Sequence, residues 1–167
     1  MPNVEIELNP VDYVTVGTVG PKGRRLFHIQ GGKTSQIVTL TIEKEQARAL
    51  AEAVTELLDD LGRQHVELAS DVPDLSTYNM DLREPIEPEF RVAQMGLGYD
   101  EDRDMVILVA QELIVAEEGQ DPDLKPSVVR LWCTRQQMRA LCTYTLDVVR
   151  QGRADPKSNG RILYYWT

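Results

Sequence analysis

The feature that most constrains this chain is a pattern that occurs twice. Val38, Leu40, Gln46, Arg48, Ala49 and Leu50 reappear as Val129, Leu131, Gln137, Arg139, Ala140 and Leu141, always 91 positions later. The matched residues straddle a change of period. Before each glutamine, apolar residues alternate as in a strand; after it they recur at helical spacing. In the first copy the helical stripe is Ala47, Leu50, Ala51, Val54, Leu57, Leu58 and Leu61, with Gly62 as the expected stop. In the second it is Met138, Leu141, Cys142, Val148 and Val149, in a helix expected from Arg135 to about Gln151. Thr134 with Gln137 three residues on spells a capping box. The first copy keeps Gln46 but has Glu43 at the cap.

The residues upstream complete the pattern. Val11–Val19 and Arg25–Gln30 read as strands separated by the turn Pro21-Lys22-Gly23, and Gln36–Ile42 as a third strand after a turn at Gly31-Gly32-Lys33-Thr34. In the second half, strands are expected at Phe90–Gly98, Asp104–Leu113 and Ser127–Cys133. The run Met105-Val106-Ile107-Leu108-Val109-Ala110 suggests a strand buried on both faces. The expectation is an α+β fold made by internal duplication of a βββα unit. Neither half is large enough to bury its apolar face alone. The two are therefore expected to join about a pseudo-twofold axis as mostly antiparallel sheet covered by two main helices. One globular domain over residues 1–167 follows, with repeats at about 11–62 and 89–152, an acidic connector at 63–88 and a tail at 153–167.

The formal net charge of −9 is unevenly distributed: −12 over residues 63–124 against +6 over residues 125–167. The overall sign makes broad nucleic-acid binding unlikely. No apolar run is long enough for a membrane span, and residues 1–5 do not resemble a signal peptide. Two cysteines suit a reducing cytoplasm better than a secreted scaffold.

Familiar catalytic patterns fail on inspection. Gly31-Gly32-Lys33-Thr34-Ser35 has Phe27 where a phosphate loop needs glycine, and a strand follows instead of a helix. Asp100, Asp102 and Asp104 open like a calcium loop, but Met105 and Gln111 stand where glycine and glutamate are required. Cys133 and Cys142 occupy core positions of the repeat. Neither His28 nor His65 has a nearby partner at metal-ligand spacing. No metal, cofactor or catalytic residue is assigned, and the balance leans away from an enzyme.

Basic side chains remain as candidates. Arg48 and Arg139 are repeat-equivalent and, with His28, suggest an anion site between the halves; two ordinary surface salt bridges are the commoner explanation of such a pair. Arg130, Arg135, Arg150 and Arg153 suggest a face for a protein partner, or else the wet side of a helix and tail docked on their own domain. A homo-oligomer fits the same picture.

Taken in order, Val16-Gly17-Thr18-Val19-Gly20, Ile42-Glu43-Lys44-Glu45-Gln46, Met95-Gly96-Leu97-Gly98-Tyr99-Asp100 and Thr134-Arg135-Gln136-Gln137 with Arg139-Ala140 resemble an uncharacterised bacterial "domain of unknown function" family. These are conserved hypothetical proteins, mainly actinobacterial. The resemblance implies a cytoplasmic binding or adaptor module near a phosphorylation-type system, because members are encoded beside phosphatase-like and kinase-like proteins. Many members end in a zinc-ribbon-like tail. Here Asp155-Pro156-Lys157-Ser158-Asn159-Gly160 has Asp in place of the family's Cys, so no zinc is expected.

Overall fold

The computed structural model describes residues 3–21, 23–69, 73–115 and 124–151. It is an α+β architecture with one seven-stranded, mostly antiparallel sheet and two long helices. The strands are β1 (Glu5–Leu8), β2 (Tyr13–Val19), β3 (Leu26–Lys33), β4 (Gln36–Ile42), β5 (Pro88–Asp100), β6 (Met105–Glu112) and β7 (Val128–Cys133). The helices are α1 (Lys44–Gln64) and α2 (Arg135–Gln151). Strand–strand–strand–helix therefore occurs twice in order. The sheet runs β1-β7-β6-β5-β4-β3-β2. Among the described strands two pairings are parallel, β4 with β5 and β1 with β7.

Each parallel pairing has the same design. The first residues of β5 run beside β4, and the rest of β5 turns to pair antiparallel with β6. At the other end β1 runs beside β7, and the chain continues into β2, which pairs antiparallel with β3. Val11 joins the two parts: its N–H donates to Trp132 O on β7 at 2.9 Å, and Asp12 N–H donates to Gly32 O on β3 at 2.7 Å. The sheet thus curls until its ends are linked by backbone hydrogen bonds. Ile29, Val38 and Leu40 of the first half face Leu108, Ala110, Val129 and Leu131 of the second across its interior. The helices add Ala47, Leu50, Ala51, Val54, Leu58, Met138, Leu141, Cys142, Val148 and Val149 to the same core. They pack against each other, and α2 lies along β2.

Several boundaries differ from the sequence reading, each for a physical reason. β1 was not expected, because Glu5-Ile6-Glu7-Leu8 is short and half acidic; it exists through pairing with β7. Gly31, Gly32 and Lys33 belong to β3 rather than to a turn, which is made instead at Thr34 with φ +56°. The two glycines are needed for space. A Cβ on Gly31 would lie 3.0 Å from the Leu131 side chain across the interior, and one on Gly32 would run into the Tyr13 ring. Helix α1 passes through Gly62 to Gln64, and a Cβ on Gly62 would lie 3.1 Å from Ala69 Cα. Both helices carry the reciprocal glutamine of a capping box: Gln46 Oε1 accepts from Glu43 N–H at 2.7 Å and Gln137 Oε1 from Thr134 N–H at 2.8 Å.

The connector is a cover. Thr15 Oγ1 donates to Met80 O at 2.5 Å, Gln30 Nε2 to Arg83 O at 2.9 Å, and Arg83 N–H to Gln30 Oε1 at 2.8 Å. Leu82 sits over Gly17, where a Cβ would lie 2.7 Å from its Cγ, and the Arg83 guanidinium stacks 3.5 Å from the Tyr13 ring centroid. Both faces of β3 and β4 are consequently buried. β6 was expected to be buried on both faces and is not. Val106, Leu108 and Ala110 are buried, while Ile107 and Val109 are half-exposed on the side that the connector does not reach.

Candidate functional site

The boundary between the halves is held by two glutamines that perform the same task. Gln46, in the first turn of α1, donates its amide to Val92 O at 3.0 Å and lies 3.4 Å from Ala93 O, at the bend of β5. Gln137, in the first turn of α2, donates to Val11 O at 3.2 Å and lies 3.4 Å from Asp12 O, at the start of β2. Each side chain therefore closes its own helix N-terminus and ties it to the other half's leading strand.

Beyond these ties the halves differ. α2 rests on β2, and Tyr144 of α2 is partly buried against the core. Burial, then the carboxylates of Asp81 and Asp147, raise the Tyr144 hydroxyl above its ordinary pKa. The residue of α1 that corresponds to Tyr144 at the 91-residue offset is Ala53. Between α1 and β5 a groove of about 320 Å³ remains open, lined by Gln46, Ala49, Leu50 and Ala53 on the helix and Ala93–Leu97 on the strand. That volume lies at the lower end of small-ligand sites. Sequence reasoning matched Ala47, Leu50, Leu57 and Leu58 to the second copy but did not single out Ala53. The signal available was the unequal pair alanine and tyrosine at one offset.

Most of the cationic candidates have partners. Arg48 pairs with Glu45 within α1 at 3.0 Å. Arg139 reaches from α2 to Asp59 of α1 at 2.8 Å with only 13% of its side chain exposed. Shifted by 91 positions, that pair would join Arg48 to Arg150, two like charges, and Arg150 instead lies 3.5 Å from Asp147. Arg135 forms a two-pronged pair with Asp104, Nε to Oδ1 at 2.7 Å and Nη2 to Oδ2 at 2.9 Å, and donates Nη1 to Leu68 O. Tyr99 OH completes the group by donating to Asp104 Oδ1 at 2.6 Å. The Arg135 bond holds the Asp104 carboxyl below its ordinary pKa. Arg130 lies on the half-exposed face of β7 opposite Glu7, whose Oε2 accepts from Trp132 Nε1 at 2.9 Å. Arg130 stands on β7, while Arg135 and Arg150 of α2 pair with Asp104 and Asp147; Arg153, like the Asp155–Gly160 motif, lies outside the described residues.

His28 is 3% exposed on β3, with Nδ1 3.3 Å from Thr41 Oγ1. Burial is the main cause of its lowered pKa; a hydrogen bond from the ring to the Leu40 backbone opposes the shift and the charge of Arg91 reinforces it. Cys133 and Cys142 are buried free thiols, and burial pushes Cys133 up to about 12. Among the described residues, no group of three or more His, Cys, Asp and Glu is placed to hold a metal ion. No described helix is long and apolar enough to cross a membrane.

The geometry defines an α+β protein with a curled sheet, an interhelical ion pair and an open helix–strand groove. The chain belongs to the family described as Protein of unknown function (DUF3090), whose model matches residues 6–159. No curated protein and no solved structure matches it.

Proposed function

We propose that the chain is a non-catalytic binding module, one domain made from two duplicated βββα units about a pseudo-twofold axis, and that its groove between α1 and β5 receives an aromatic side chain of a protein partner. The reciprocal bonds of Gln46 and Gln137 support the duplication, since each reaches the opposite half through the same two kinds of atom. The constant offset and the twofold use of a parallel-then-antiparallel leading strand support it further.

The observation that carries the binding reading is Ala53 standing where the second unit has Tyr144. A partly buried phenol ring packs against the core from α2; α1 has alanine at the matching position, and space remains beside it. An aromatic ring brings a large apolar area and a polar edge into such a site. An adaptor acting in the cytoplasm, near the phosphorylation-type system suggested by the family's company, is in keeping with this role. The buried free thiols suit that compartment.

The test is an NMR titration of the full chain with N-acetyl-tyrosine amide. Saturable shifts at Ala49, Ala53 and Met95 are expected, and the substitution Ala53→Tyr should remove them. Failure of the wild type to bind at millimolar probe, or equal binding by Ala53→Tyr, would overturn the reading.

A further inference from the structure

β5 has one edge that carries no strand along most of its length. Its pairing with β4 ends at Thr41 with Arg91, and from Val92 to Asp100 it pairs with β6 alone. On the side of α1, the Gln46 amide takes Val92 O and approaches Ala93 O. Apart from these contacts and the β6 ladder, no hydrogen bond to the backbone of Ala93–Leu97 is made among the described residues. A strand aims half of its N–H and C=O groups away from a single neighbour, and these stay free for water or for an added strand.

The groove between α1 and β5 runs along this edge, with Ala93–Leu97 on one side and Ala49 and Ala53 on the other. In the second unit α2 lies along β2, the strand that follows the parallel pairing of β1 with β7, whereas α1 packs on β5 much less closely. Space is open where a Cβ would stand on Gly96. The charges around the opening are uneven. Residues 93–97 of β5 carry none, and within one turn of Ala49 and Ala53 the helix presents Glu45, Glu52 and Glu56. Arg48, the cation of that stretch, pairs with Glu45; beyond its ends Arg91 pairs with Glu43 and Arg63 with Asp60. Glu52 and Glu56 are exposed and have no ion pair among the described residues.

We propose that an extended segment of a protein partner adds to this edge of β5 as a strand, with an aromatic side chain seated between Ala53 and Met95 and Lys or Arg beside it. This mode of binding rests on the reading of the groove as an aromatic site, and adds how the partner's backbone is held and what charge it carries. Main-chain hydrogen bonds supply affinity in such an addition, and the pocket for one side chain supplies selectivity. The ring packs its apolar area on the alanines and on Met95, whose unbranched side chain adapts to it. The carboxylates of Glu52 and Glu56 favour a basic segment and speed its approach. The edge of β5, open where α2 lies along the matching strand, carries the assignment.

The test is an NMR and hydrogen-exchange titration of the full chain with N-acetyl-tyrosine amide and with the acetylated, amidated pentapeptide Lys-Val-Tyr-Val-Lys. The pentapeptide should bind roughly tenfold or more tighter, as two main-chain hydrogen bonds would give, and should protect alternate amides within residues 93–97. Alternate N–H groups of an added strand face its neighbour. N-methylation of the tyrosine amide and N-methylation of both valine amides should therefore differ, one abolishing the gain and the other leaving it. Replacing both lysines by glutamate should weaken binding about two- to fivefold at low salt. Glu52→Gln combined with Glu56→Gln should erase that difference and leave N-acetyl-tyrosine amide binding unchanged. If the amino-acid amide binds at Ala53 but the pentapeptide binds no tighter, or its two methylated forms behave alike, strand addition is overturned and the aromatic groove stands. If neither ligand shifts Ala53, the groove reading falls and this one with it. A lysine preference that persists in the double variant would overturn the basic partner. Sedimentation of the unliganded chain as a dimer, with the same β5 amides already protected, would assign the edge to a second copy and overturn the proposal.

Discussion

At the scale of single residues, the first half of the sheet is specified by what its small and buried polar side chains permit. Gly32 lies beneath the Tyr13 ring, which in turn carries the Arg83 guanidinium. Gly32→Ala should cost about 1–3 kcal/mol by forcing that stack apart. The loss, read from urea midpoints, should shrink in a Tyr13→Leu background. His28 gives a pH signature. Its pKa is lowered in the folded protein, so the unfolded chain binds the proton more readily. Stability from keeping the ring neutral is complete above the unfolded value near 6.5 and declines as pH falls below it. Tm should therefore drop between about pH 7 and pH 5.5, and His28→Gln should flatten that part of the profile. The carboxylate of Asp104, held low by Arg135, adds its own loss in a more acidic window, as pH falls through its folded pKa.

At the scale of elements, the helix N-termini do more than begin helices. Gln46 and Gln137 each accept from their own cap and donate into the opposite half. Replacing either by Ala removes both contacts and should cost about 1–2 kcal/mol, comparable with losing a cap and a part-buried hydrogen bond. Hydrogen exchange should distinguish the two variants. Gln46→Ala should loosen the bend of β5 near Val92, and Gln137→Ala the start of β2 near Asp12. Equal protection changes at both ends would argue against the reciprocal arrangement. Strand positions followed from the sequence wherever alternation was clear: Gln36–Ile42 coincides with β4, and Ser127–Cys133 differs from β7 by one residue. The helix from Arg135 to Gln151 was equally legible, because a capping box precedes an unbroken apolar stripe. β1 was not, since its alternation spans only four residues, two of them carboxylates, and is ordered by an edge 123 residues away in the chain.

At the scale of the molecule, two halves with similar patterns differ in what covers and fills them. The connector closes one face of β2 and β3, and β6 has no such cover among the described residues. Ala53→Tyr should therefore be tolerated, because it reproduces in α1 the packing that Tyr144 makes in α2. Its unfolding midpoint should stay close to wild type, and a loss beyond about 2 kcal/mol would mean that the groove has a different shape from its counterpart. The candidate sites were legible only in part. Arg48, Arg139 and His28 were visible as residue types, but ion-pair partners such as Asp59 and Glu45 are set by how helices face each other and how their turns stack. Arg25 and Arg91 were not visible as a pair at all, because 66 residues separate them and the pairing of β3 with β4 and of β4 with β5 brings them to one cavity. Local periodicity and spacing are short-range properties, and by themselves they determined the α+β class, the two long helices and the repeated order of elements. The sheet order, the sealed and open faces and the meeting of cations at the boundary depend on long-range pairing, and that was decided only by the tertiary structure.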